Sequence, residues 1–169
     1  VLTFRHITTP HTPQCCISQR AAEGEHLTLE VTKLDYSECQ IKITPSSDDL
    51  RYVGMLAERD YIDQYKITNR EELVAADYNY FTTSNQGEDS LEDYLIKSKL
   101  AVQGEQVRLL QDISPAKEYV VYAYGIYLSG NTYECITPIY HTIIDKRMPE
   151  RVAQSFDVEI EAQGPEVTF

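Results

Sequence analysis

The chain has no tryptophan, two methionines, and only seven glycines and seven prolines among its 169 residues. So little glycine and proline excludes collagen-like and low-complexity architectures. No apolar run approaches the roughly 18 residues of a membrane-spanning helix, so the sequence contains no such span. Positive charge is scarce too: Lys and Arg total 15 against 27 Asp and Glu, a formal net charge of −12. A surface this acidic repels phosphate backbones and argues against nucleic acid as a partner.

Chemical motifs are equally sparse. There is no GxSxG elbow, no CxxC pair and no glycine-rich phosphate loop. The four histidines, His6, His11, His26 and His141, show no zinc-ligand spacing, and a catalytic triad is not expected from them. Ser46-Ser47-Asp48-Asp49 and Gln86-Gly87-Glu88-Asp89-Ser90 lack the ligand spacing of a calcium loop. No cofactor and no metal are expected. Cys15 and Cys16 are adjacent in a Pro- and Thr-rich stretch that lacks a lipoprotein cleavage pattern, and the chain opens without a signal-peptide pattern. Cys39 and Cys135 fall inside expected strands and read as buried thiols rather than a bridge.

What is present is globular. Apolar residues make up 42% and charged residues 25%, a balance that buries a core. The length suits one domain. Residues 1–25 show no periodicity and read as an irregular tail. Leu27-Thr28-Leu29-Glu30-Val31 and Cys39-Gln40-Ile41-Lys42-Ile43-Thr44 alternate apolar and polar residues, as half-buried strands do. Leu50 to Ala57 reads as a third strand of an antiparallel meander. The period then changes to about 3.6 over a helical stretch at about 59–103. Asp60 to Lys66 reads as a short helix. Thr68 and Glu71 form an expected capping box for a second, whose inner face is expected at Leu73, Ala76, Tyr80 and Phe81. Gly87 is the expected stop. Ser90 opens a third helix with the stripe Leu91, Tyr94, Leu95, and Gly104 is expected to close it. Residues 45–100 hold 12 acids and 6 bases, so half of the excess charge sits on this stretch and reads as a solvated helical face.

Strand patterns resume at Gln106–Leu109 and at Tyr119–Ile126. Ser129-Gly130-Asn131 turns the chain into a returning strand at Tyr133–Ile144, with Pro138 marking an edge or bulge. Residues 146–154 read as a linker. Ser155 to Ile160 alternates again, so 155–169 reads as the first strand or strands of a truncated second module, able to pair with a sheet edge.

Ile113-Ser114-Pro115-Ala116-Lys117-Glu118-Tyr119 resembles the fibronectin type III pattern that ends in a tyrosine corner. Ile113, Pro115 and Tyr119 match the pattern. Lys117 stands where threonine is usual, and the family's core tryptophan is absent. Thr44-Pro45-Ser46, Tyr119 to Gly125 and Thr137-Pro138 resemble modules of gut-bacterial cell-surface lipoproteins, over residues 27–144. The resemblance implies a mainly β fold, a fibronectin III-like, Ig-like β-sandwich over 26–145 with a two- to three-helix insertion after the third strand. It also implies an extracellular or cell-surface location.

Tyrosine is the one enrichment, with 13 residues. Tyr122, Tyr124, Tyr127 and Tyr133 cluster in the hairpin, where phenols could stack on a sugar or contact a protein. Packing under the helical insert is the simpler use for them. Acid pairs at Asp48-Asp49, Glu71-Glu72, Glu88-Asp89 and Glu92-Asp93 could serve a glycoside hydrolase, but each sits at a turn or a helix start, where acids have a structural reason to be. The expected function is therefore a non-catalytic spacer or protein-interaction module, not an enzyme. Its partner would be a protein or a glycan at the cell surface. A glycan-binding module is the alternative, and a carboxylate-pair hydrolase is the least favoured.

Overall fold

The computed structural model describes residues 24–147, other than 65, 67, 68, 87 and 88. Most of the expected tail and linker, the whole of 155–169, Thr68 and Gly87 lie outside the described residues. Cys15 and Cys16 lie outside them as well. In chain order the elements are β1 (Leu27–Leu34), β2 (Cys39–Pro45), β3 (Tyr52–Glu58), α1 (Arg59–Gln64), α2 (Arg70–Asn85), α3 (Leu91–Lys97), β4 (Ala101–Val102), β5 (Gln106–Leu110), β6 (Tyr119–Ser129), β7 (Thr132–Cys135) and β8 (Tyr140–Ile144). The chain is mainly β, with antiparallel sheets and three helices that follow the third strand.

One sheet has the order β1-β2-β5 and the other β4-β3-β6-β7. β8 also pairs with β6, opposite Tyr119–Ala123, while β7 pairs with Ile126–Ser129. The stretch expected as one returning strand is thus two. Thr137 and Pro138 interrupt it, because Pro138 has no N–H to offer the ladder. The Thr137 hydroxyl instead accepts from the Gly125 N–H at 2.8 Å and donates to the Pro138 carbonyl. A Cβ at Gly125 would lie 2.7 Å from Thr137 Cγ2, so this crossing admits only glycine without a shift.

Two apolar clusters flank β6. Ile41 and Ile43 of β2, Leu110 of β5, and Tyr52, Tyr119, Val121, Ala123 and Ile144 of the second sheet share one of them, so the two sheets face each other across it. Val74, Phe81, Leu91 and Leu95 of the helices share the other with Val120, Tyr122, Tyr124, Ile126 and Leu128. Over Tyr119–Ile126, β6 therefore has no polar side, since both faces are covered.

The helical details depart from expectation in instructive ways. Asn69, not Thr68, caps α2, and its side chain accepts from the Glu72 N–H at 2.9 Å. The fully buried stripe is Val74, Asp77 and Phe81; of the expected face, Phe81 is buried and Leu73 and Tyr80 pack partly buried against the same core. Gln86 makes the left-handed C-cap, and α3 ends at Lys97, well before Gly104, which turns the chain between β4 and β5. Ser90 does cap α3, accepting from the Asp93 N–H at 3.1 Å. The start of α3 is bound to the β6–β7 turn: Leu91 N–H donates to Asn131 Oδ1 at 2.9 Å, and Gly130 N–H donates to Glu92 Oε2 at 2.8 Å.

Candidate functional site

The four hairpin tyrosines divide by register. Tyr122, Tyr124 and Tyr133 face the helices and are 3%, 0% and 4% exposed, whereas Tyr127 is 47% exposed. The first three have no ring face to offer a sugar in this arrangement, because α2 covers them. Tyr127 alone presents one.

Beneath α2 the phenols converge on a carboxylate that the sequence reading did not single out. Asp77 is fully buried. Tyr122 Oη donates to its Oδ1 at 2.9 Å and reaches its Oδ2 at 3.1 Å, and Tyr124 Oη donates to Oδ2 at 2.9 Å. Tyr124 and Tyr133 hydroxyls lie 2.6 Å apart. The rings pack as closely as the hydroxyls: Tyr122 and Tyr124 are stacked with centroids 6.5 Å apart, and Tyr124 meets Tyr133 edge-on. A carboxylate can be buried at acceptable cost only when donors surround it, and the phenols are those donors. Burial, with the Asp77 charge beside it, holds the Tyr124 phenol well above its ordinary range. Tyr124 is therefore a neutral hydrogen-bond donor at physiological pH. The signal for Asp77 in the sequence was an acid three residues after Val74 and four before Phe81, in the middle of an apolar stripe.

Cys135 borders this cluster. Arg70 at the start of α2 donates from Nη2 to the Cys135 carbonyl at 3.1 Å and to its Sγ at 3.2 Å, and the thiol donates to the Thr137 carbonyl at 3.2 Å. Burial pushes the thiol up, against the pull of Arg70, so it stays protonated and weakly nucleophilic. Cys39 is likewise a free, buried thiol raised by burial.

On the other face of β6, the Tyr119 hydroxyl accepts from the Ser114 N–H at 3.0 Å, and Ile113 is buried beside it. The Pro115 carbonyl accepts from the Arg147 N–H at 2.7 Å. This ties the chain after β8 to the corner. Tyr52, also fully buried, donates to the Gly104 carbonyl at 2.9 Å, and burial raises its phenol to about 12.

Three of the paired acids make side-chain contacts. Asp89 bridges Lys97 at 2.8 Å, Glu92 approaches Arg51 at 3.6 Å, and Asp93 accepts from the Ser90 hydroxyl at 2.7 Å. Glu71 and Glu72 lie in the first turn of α2. His141 is exposed on β8. Among the described residues no three His, Cys, Asp or Glu side chains gather as a metal site.

An open cleft of about 340 Å³ lies where β6 runs past the start of β3, with Tyr127 on its wall and Leu50, Ile126 and Leu128 among its lining. No protein-family model, curated protein or solved structure matches this chain.

Proposed function

We propose that this chain is a fibronectin III-like β-sandwich with a helical insertion, serving as a non-catalytic spacer or protein-interaction module of a bacterial surface protein. Strand order supports the fold. The strands β1, β2 and β5 fall in one sheet and β3, β6 and β8 in the other, as the A, B, E and C, F, G strands of immunoglobulin-type folds do. The bond from Ser114 N–H to the Tyr119 hydroxyl at the start of β6 is the further support, as a tyrosine corner. Placement at the cell surface rests on the resemblance of residues 27–144 to surface-lipoprotein modules.

One observation carries the functional reading. The polar groups on the Tyr-rich face are consumed in holding α2 to the sheet through Asp77, which makes that face framework rather than binding surface. A rigid frame with its chemistry turned inward suits a domain that spaces or docks. The glycan-binding alternative keeps one supporting observation, the exposed ring of Tyr127 on the open cleft.

A glycan array probed with the full chain separates the two. A blank array is expected, together with saturable binding to a protein recovered by cross-linking to a cell-envelope fraction. Specific glycan binding that disappears in Tyr127→Ala would replace the protein-interaction reading with the carbohydrate one. Turnover of chromogenic glycosides would overturn the non-catalytic assignment.

A further inference from the structure

The cleft at the end of the five-stranded sheet has a shape and charge that favour one kind of occupant. The β3–β6 ladder ends at Tyr52 opposite Gly125, with one further bond from the Ile126 N–H to the Arg51 carbonyl at 2.8 Å. β6 then continues to Ser129 with β7 as its paired strand. The cleft lies beside Ile126–Leu128 of β6, lined by Asp49, Leu50 and Arg51 just ahead of β3 and by Ile136 just after β7.

The lining is amphipathic. Leu50, Ile126 and Leu128 are buried and supply apolar surface, while Tyr127 stands half exposed beside them. The charges are unbalanced. Arg51 is turned toward Glu92 at 3.6 Å and Gln103 at 3.4 Å, and Gln103 in turn donates to the Asp49 carbonyl at 2.9 Å. Glu25 and Asp49 also line the cleft, and neither has an ion-pair partner among the described residues. An apolar floor, an exposed phenol ring and two acids with no ion-pair partner among the described residues match a side chain with an aliphatic stem and a cationic head. At about 340 Å³ the cleft is at the small end of the range for ligand pockets, suited to one such side chain and its backbone.

We propose that this cleft docks a lysine or arginine side chain of a partner protein. The proposal rests on the protein-interaction reading and names the chemistry of the partner. The net charge of −12 steers a basic segment toward the chain, and the two carboxylates give it a place to dock.

The test is a heteronuclear NMR titration of the full, isotope-labelled chain with a capped pentapeptide of alternating valine and arginine. Amide shifts are expected at residues 49–51, 103 and 126–128. The fitted affinity should fall by about fivefold or more in the Glu25→Gln/Asp49→Asn double variant and in Tyr127→Ala. It should fall again as salt rises from about 50 mM to about 300 mM. Unperturbed spectra of the free variants establish that they are folded.

Absence of shifts overturns the proposal, and so do shifts spread over the acidic surface that survive both variants. A neutral oligosaccharide that shifts the same amides when the peptide does not also overturns it, and it removes the protein-interaction reading as well. A protein partner whose contacts map away from 49–51 and 126–128 leaves that reading standing and sinks the cleft alone.

Discussion

The two faces of β6 solve the same burial problem with different chemistry. Toward the three-stranded sheet, Tyr119, Val121 and Ala123 meet Ile41, Ile43 and Leu110, mostly by apolar contact. Toward the helices, Tyr122 and Tyr124 meet a buried carboxylate and the hydroxyl of Tyr133. Apolar contact is non-directional and tolerates small shifts of one sheet over another. A carboxylate among phenols tolerates almost none, since each hydroxyl displaced leaves a buried donor without an acceptor. The first face supplies bulk stabilisation. The second fixes where α2 sits.

The sharpest way to break this comparison is at its polar centre. Asp77→Ala leaves the Tyr122 and Tyr124 hydroxyls without their acceptor and is expected to cost about 3–5 kcal/mol in urea unfolding. Asp77→Asn keeps the volume and one acceptor oxygen and should cost distinctly less. Ile41→Ala on the other face removes only packing, at about 2–4 kcal/mol. Pairing each with Tyr122→Phe tests whether the faces are independent. Tyr122→Phe should be much milder in the Asp77→Ala background, by about 1 kcal/mol or more, and should add to Ile41→Ala within about 0.5 kcal/mol. Additivity in both cycles would mean that the carboxylate and the phenol do not act as a unit.

This contrast also explains what was legible in the sequence. Alternation exposed β1, β2 and β5, and the β-branched and aromatic run from Tyr119 to Ile126 marked β6, because both are local properties of the chain. The Ser90 cap was legible for the same reason. Asp77 was not, because an acid on a helix ordinarily points to solvent and only the tertiary fold supplies its donors. Once Asp77 is inside, the fully buried stripe of α2 becomes Val74, Asp77 and Phe81, and of the expected face Leu73 and Tyr80 are only partly buried beside it. The break at Thr137 and Pro138 was half legible. Proline announced a disruption, but the Thr137 hydroxyl that takes over the Gly125 N–H did not. The clustering of tyrosines in the hairpin was legible, yet which of them are covered depends on the helices above them.

Alkaline pH probes both faces at once. Tyr52 lies toward the three-stranded sheet and Tyr124 toward the helices, and burial raises both phenols, Tyr52 to about 12. An unfolded tyrosine ionises near pH 10. Above that pH the unfolded chain has lost protons that the folded chain still holds, so stability falls as pH rises. The stabilisation is fully present below about pH 10 and, for Tyr52, is lost between about 10 and 12, at a cost of about 2–3 kcal/mol. Tyr124 extends the loss to higher pH. Urea unfolding at stepped pH should show a shallower decline in Tyr52→Phe than in the parent, and an unchanged slope would mean that Tyr52 ionises freely in the folded state.

The smallest effect is expected at Tyr119, and it is the one that best separates the faces. Its hydroxyl accepts from the Ser114 N–H at 3.0 Å, and its ring packs with Val121 and Ile144. Tyr119→Phe keeps the ring and loses that bond, so about 0.5–1.5 kcal/mol of stability should go. Tyr124→Phe makes the same chemical change on the other face, but it takes a donor from Asp77 and a partner from the Tyr133 hydroxyl. It should therefore cost more than Tyr119→Phe, although both residues are almost fully buried on the same strand. Equal losses would show that burial alone sets the cost, and the distinction between an apolar face and a hydrogen-bonded one would carry no energetic weight.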